Sequence, residues 1–258
     1  MSRAGNRPTA CSCAADSGSR TMKRRGFTLT EVMIGLGLAL FVVVAAFEFF
    51  GVTRALFAKL RVEETDTQSA EAALDKIRID FRRAGTGLVG AMRASTVAGV
   101  EAGGGSLCVA IAERSYGLAQ DLVPGQTRVP LTTTADLSAG REVCLSENGR
   151  AEIHAVAAVE SAAAVLDGPL QQPYSMAGAQ FQLIEKVAYY FDGPSGILRR
   201  KVNAGSPQPL LEDVESADFG YDPATNLARA AFALEGQKEK RYETTVFPKN
   251  VGLARPGS

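Results

Sequence analysis

Three basic residues, Lys23-Arg24-Arg25, meet a single glycine, Gly26, and then an apolar run from Phe27 to Phe47 whose one charge is Glu31. No other stretch constrains the chain as strongly. Residues 27–50 are almost wholly apolar, and these 24 residues suffice as helix to cross about 30 Å of hydrocarbon. A carboxylate inside such a segment costs roughly 2.5–3.5 kcal/mol on insertion scales, so Glu31 needs a partner. In a helix that begins at Phe27, Glu31 follows at i+4 on the same face.

The stretch Lys23-Arg24-Arg25-Gly26-Phe27-Thr28-Leu29-Thr30-Glu31 resembles the signature of type IV prepilins and of the pseudopilins of type II secretion. The resemblance implies that a prepilin peptidase cuts between Gly26 and Phe27 and that Phe27 is then methylated. Glu31 becomes the fifth mature residue and serves as a register device between neighbouring subunits. Lys23, Arg24 and Arg25 stay in the leader, on the cytoplasmic side. The new α-amino group has a reference pKa of about 7.7–8.0, and an ammonium at that depth offsets much of the burial of Glu31. The implied partners are the peptidase, other major and minor pilins or pseudopilins, and an inner-membrane assembly platform. An ordinary signal anchor with an isolated glutamate is the plainer alternative.

Residues 1–26 form the expected leader. Met1 to Thr21 is rich in Ser, Ala, Gly and Arg without apolar periodicity, which predicts disorder. Met22 opens a compact basic leader and reads as the start codon, which leaves Cys11 and Cys13 without a role. The chain has 28 basic and 28 acidic residues; residues 1–26 hold six basic and one acidic, leaving 22 and 27. A mildly acidic mature chain argues against general nucleic-acid binding.

Residues 27–50 are expected to be the transmembrane and assembly helix, with Gly35 and Gly37 allowing close helix approach. Many major pilins bend this helix with a proline where this chain has Glu48, read here as an interfacial charge. Residues 51–85 are expected to continue the helix. Arg54 to Phe81 lacks Gly and Pro, and Leu56, Leu60, Ala70, Leu74, Ile77 and Phe81 make a stripe of helical period. Arg82-Arg83 and then Gly85 close it. A helix from Phe27 to Ala84 is about 87 Å long. A break near Gly51 is the alternative.

Residues 86–258 change texture to short β-like runs between turn signals. Strands are expected at 107–112, 141–145, 152–159, 181–191, 197–202, 210–221, 227–234 and 241–247, with turns at Glu147-Asn148-Gly149 and Asp192 to Gly196. One helix followed by strand upon strand is α+β: an antiparallel sheet wrapped on the helical stripe as a globular head, the pilin lollipop.

Asp80-Phe81-Arg82-Arg83-Ala84-Gly85, Val187 to Phe191, Gly196 to Arg200 and Leu210 to Val214 resemble large minor pilins of the PilW type. They resemble the J-type minor pseudopilin equally. Cys108 and Cys144, the cysteines that remain after processing, fall on the periplasmic side, where either a disulfide or two buried free thiols fit. Glu212, Asp213, Glu215, Asp218 and Asp222 form an acidic cluster, either a solvated face or a calcium site of the kind some relatives use. His154 reads as a strand histidine with a satisfied hydrogen bond. Gly103-Gly104-Gly105 lacks the Gly-Lys-Ser/Thr of a phosphate loop. The basic runs 199–201 and 238–241 leave a DNA contact open. No cofactor, metal or catalytic residue is expected. The resemblance implies a non-enzymatic minor pilin, with a J-type pseudopilin or a membrane-anchored periplasmic binding domain that never polymerises as alternatives.

Overall fold

The computed structural model describes residues 26–236 and 240–254. The chain divides into two compact units, Met1–Leu60 and Arg61–Ser258. Helix α1, Leu29–Arg83, runs through both for 55 residues without a break at Gly51.

In the first unit the helix is apolar on every side. Phe27, Leu36, Phe41 and Phe47 are all largely exposed, and the segment is long and apolar enough to cross a membrane by length and composition. A helix apolar all round is suited to lipid or to a bundle of like helices rather than to water.

In the second unit α1 buries Ala70, Ala73, Leu74, Ile77, Asp80 and Phe81. The apolar members recur at three- and four-residue spacing, so they line one face. Gly85, at φ +72, ends the helix in the left-handed conformation that glycine adopts without a steric penalty. Its N–H donates to Ala110 O at 2.8 Å, which turns the chain onto the sheet.

A short helix α2 (Val89–Arg93) leads into twelve strands. They are β1 (Val100–Gly103), β2 (Ser106–Tyr116), β3 (Arg128–Pro130), β4 (Glu142–Glu147), β5 (Arg150–Glu160), β6 (Ala163–Leu166) and β7 (Gln180–Asp192), then β8 (Ile197–Val202), β9 (Gln208–Leu211), β10 (Val214–Asp222), β11 (Leu227–Leu234) and β12 (Arg241–Val246). Helix α3 (Lys249–Leu253) follows. The larger sheet has nine strands in the order β1-β2-β7-β4-β5-β6-β3, with β8 and β9 branching from β7. Strand β7 carries β2 along one edge; on the other it pairs with β4 at residues 180–183 and with β8 from Val187 to Asp192. Strands β10-β11-β12 form a second sheet. All pairs are antiparallel.

The main core joins the α1 stripe to Leu107, Val109, Val187 and Leu198 of the larger sheet and to Phe219, Phe232 and Tyr242 of the smaller one. A second core, built on Tyr116, Leu122, Leu145, Leu170, Tyr174 and Phe181, lies beneath the β3–β6 end of the larger sheet.

The α+β architecture agrees with the sequence reading, and the turn at Asn148-Gly149 takes φ +48 and +80, as a two-residue hairpin requires. The head holds two sheets rather than the one expected. The run 210–221 is broken at Glu212-Asp213, where Asp213 has φ +55, so β9 stays in the larger sheet and β10 starts the smaller. Leu56 and Leu60 are exposed; the buried stripe starts at Ala70.

Candidate functional site

The processing motif lies at the start of α1. Gly26 and Phe27 precede the helix, and Phe27 is 84% exposed. The first helical residue is Leu29, not Phe27, and the reason is Thr28. Its hydroxyl accepts from the Glu31 N–H at 3.3 Å, while its own N–H donates to Glu31 Oε2 at 3.0 Å. The Thr28 hydroxyl also lies 3.0 Å from Glu31 Oε2. This is a capping box: two backbone donors that no helical carbonyl can serve are satisfied reciprocally. Glu31 is therefore the third residue of the helix, and its present partner is Thr28 rather than an ammonium. The pattern Thr-x-x-Glu before an apolar run was the available sequence signal. Lys23, Arg24 and Arg25, with Met22 and the segment 1–21, lie outside the described residues.

Residues 21–47 match the family model described as the prokaryotic N-terminal methylation motif. The chain carries a prepilin-type methylation motif. That motif supports a type IV pilin-like or pseudopilin precursor processed by prepilin peptidase and assembling with other pilins. No curated protein matches this chain. Among solved structures it is similar to the tailspike of Acinetobacter baumannii bacteriophage AP22, solved with the A. baumannii capsular saccharide. The identity is 14%, over 27% of this chain and 14% of the tailspike chain, with a TM-score of 0.25. The chain thus spans about a seventh of that protein, and so slight a likeness carries no argument.

The disulfide is a correction. Cys108 and Cys144 are both free thiols. Cys108 on β2 pairs with Ala188 of β7, and Cys144 on β4 pairs with Gln182 of the same strand. One whole strand separates them sideways, and they sit six positions apart along it. At about 3.3 Å per residue along a strand, that is far beyond the span of roughly 7 Å between Cα atoms that a disulfide bridges.

The acidic residues do not converge. Asp222 caps its own turn through Ala224 N (2.8 Å) and Thr225 Oγ1 (2.6 Å), and Asp218 faces Arg241 at 3.9 Å. Among the described residues no three His, Cys, Asp or Glu side chains come together as a metal site. His154 has its ring between Glu152 (3.1 Å) and Asp167 (3.5 Å), a satisfied strand histidine as expected. Of the basic runs, Arg199 pairs with Asp192 at 2.8 Å and Arg200 with Asp80 at 2.9 Å. Lys240 lies over the Tyr242 ring at 4.8 Å, and Lys238 is outside the described residues.

Sequence reasoning missed the role of Asp80, a carboxylate 1% exposed on the inner face of α1. Its Oδ2 accepts from the Tyr189 hydroxyl at 2.6 Å and from Arg200 Nε at 2.9 Å. Lys76 Nζ stands 3.5 Å from Oδ1. Burial first, and then the hydrogen bond to Asp80, raise the Tyr189 phenol well above its ordinary range, so it remains a donor. An aspartate one residue before the core residue Phe81 was the only hint in the sequence.

Proposed function

We propose that this chain is a minor pilin of a type IV pilus. It inserts once in the inner membrane with its C-terminal domain in the periplasm, is cut after Gly26, and is methylated on Phe27. It then enters or primes the fibre through the apolar half of α1. Its role is structural, not enzymatic. The single observation that carries this reading is the order of features: the methylation motif at 21–47 opens a helix whose membrane-length half is apolar on every side. The basic residues before Gly26 favour a cytoplasmic leader. A head with two sheets and three buried apolar clusters supports a large subunit, as minor pilins are by resemblance.

In this reading the Thr28–Glu31 box holds the carboxylate until a neighbour's N-terminal ammonium takes it over. The blocks containing Asp80, Tyr189 and Arg200 are similar to the J-type minor pseudopilin as well, so type II secretion is the second reading.

The deciding experiment is the intact mass and N-terminal residue of the protein from cells with and without prepilin peptidase. A chain starting at methylated Phe27 only when the peptidase is present supports the proposal. An uncut chain in both strains overturns it and leaves a signal anchor.

A further inference from the structure

The apolar stripe of α1 has a weakness as a specificity device. Ala70, Ala73, Leu74, Ile77 and Phe81 recur so regularly that a slide of the helix by one turn, about 5.4 Å, sets apolar residues back onto apolar sites. Packing of this kind penalises a slip through fit, as when Ala84 takes the place of Phe81, but leaves no polar group unpaired. Asp80 has no such freedom. Tyr189 and Arg200 are direct cross-strand partners on β7 and β8, so the sheet presents phenol and guanidinium side by side, with Arg200 Nε 3.2 Å from the Tyr189 oxygen. Both converge on one carboxylate oxygen. A turn in either direction replaces Asp80 with Ile77 or Ala84, leaving a buried phenol and a largely buried guanidinium without their acceptor.

We propose that Asp80, Tyr189 and Arg200 form a register pin that fixes the axial position of residues 61–83 of α1 on the larger sheet. Their contribution is to uniqueness more than to stability, because a buried ion pair is often replaceable by apolar groups without loss. The three residues come from the three blocks Asp80–Gly85, Val187–Phe191 and Gly196–Arg200, 109 and 120 positions apart from Asp80 in sequence. The pin is independent of whether the chain enters a pilus or a pseudopilus.

The test uses the full chain in detergent, with its four cysteines replaced by alanine and spin labels introduced at the exposed positions Glu71 and Glu215. Distances are compared between this protein and the same protein carrying Asp80→Leu, Tyr189→Phe and Arg200→Met together. The expected result is a folded variant melting within a few degrees of its parent but showing a second distance population, where the parent shows one. A folded variant with the parent's single population overturns the proposal. So does a variant that fails to fold, since the cluster would then be needed for stability and not for register. Neither outcome depends on processing or assembly, so the minor-pilin reading stands or falls separately.

Discussion

Glu31 Oε2 and the backbone nitrogen of Thr28 are 3.0 Å apart, and the Glu31 nitrogen is 3.3 Å from the Thr28 hydroxyl. The residue that we propose acts in assembly is thus also part of the first helical turn of its own chain. Replacing Thr28 by alanine removes the cap, which is worth about 1 kcal/mol to a helix start. Amide exchange at Leu29, Thr30 and Glu31 is expected to quicken several-fold in detergent, while exchange in the head stays unchanged.

Glu31→Gln separates the capping role of this carboxylate from its proposed role in assembly. Glutamine also serves in a capping box, so the helix start, membrane insertion and cleavage after Gly26 are expected to persist. A neutral amide cannot form an ion pair with an ammonium, so fibres are expected to disappear. Quantifying the subunit in sheared fibres against the membrane fraction checks this, and fibres at the wild-type level would count against the assembly role.

Asp80→Ala leaves Arg200 and Tyr189 facing a void in a nearly closed site. Breaking a buried pair by removing one member costs about 3–5 kcal/mol. Chemical unfolding of the head, followed by tyrosine fluorescence, should show a loss of that order. Asp75→Ala, whose carboxylate is largely exposed beside Arg78, should change stability by less than about 1 kcal/mol.

What could be read from the sequence and what could not follow a physical line. The helix was legible to Phe81 because Ala70, Leu74, Ile77 and Phe81 keep one period, and β7, β8 and β11 because their runs are long and bounded by turn residues. Strands β1, β3 and β6, of four, three and four residues, are too short for alternation to appear. The split at Asp213 turns on one positive φ, which a non-glycine residue does not announce. The methylation motif was legible because its residues are contiguous. The Asp80 cluster and the distance between the two cysteines depend on which strands are neighbours, which local sequence does not encode. Strand β7 lies between β2 and β4, and that alone forbids the disulfide.

The thiols give a direct check on this topology. Peptides containing Cys108 and Cys144 should have the same mass with and without reductant, each carrying a free thiol. Burial pushes the Cys144 thiol up to about 12, and burial, with Glu101 next, raises that of Cys108. Both should resist alkylation at pH 8 in the folded protein, Cys144 more than the half-buried Cys108, and react promptly once the chain is unfolded. A mass two protons lower without reductant would contradict the strand order.

Acid should loosen one loop before the rest of the head. Glu147, at the end of β4, accepts from the Ser175 hydroxyl and from its backbone N–H at 3.0 Å. These bonds, the hydroxyl first, hold its carboxyl below its ordinary value of 4.5, with Arg150 adding to the effect and Asp121 opposing it. A folded pKa below the unfolded one means that the unfolded chain binds the proton more readily. The stabilisation is therefore complete above about pH 4.5 and is lost as the pH falls through the lower, folded value. Asp121 holds the same segment by accepting from Met176 N at 2.7 Å. Exchange at Ser175 and Met176, corrected for the intrinsic pH dependence, should rise relative to β7 as the pH falls below about 4.5. In Glu147→Gln the segment should already be loose at pH 7, with a flatter response to acid. An unaltered acid response in that variant would show that Glu147 is not the group responsible.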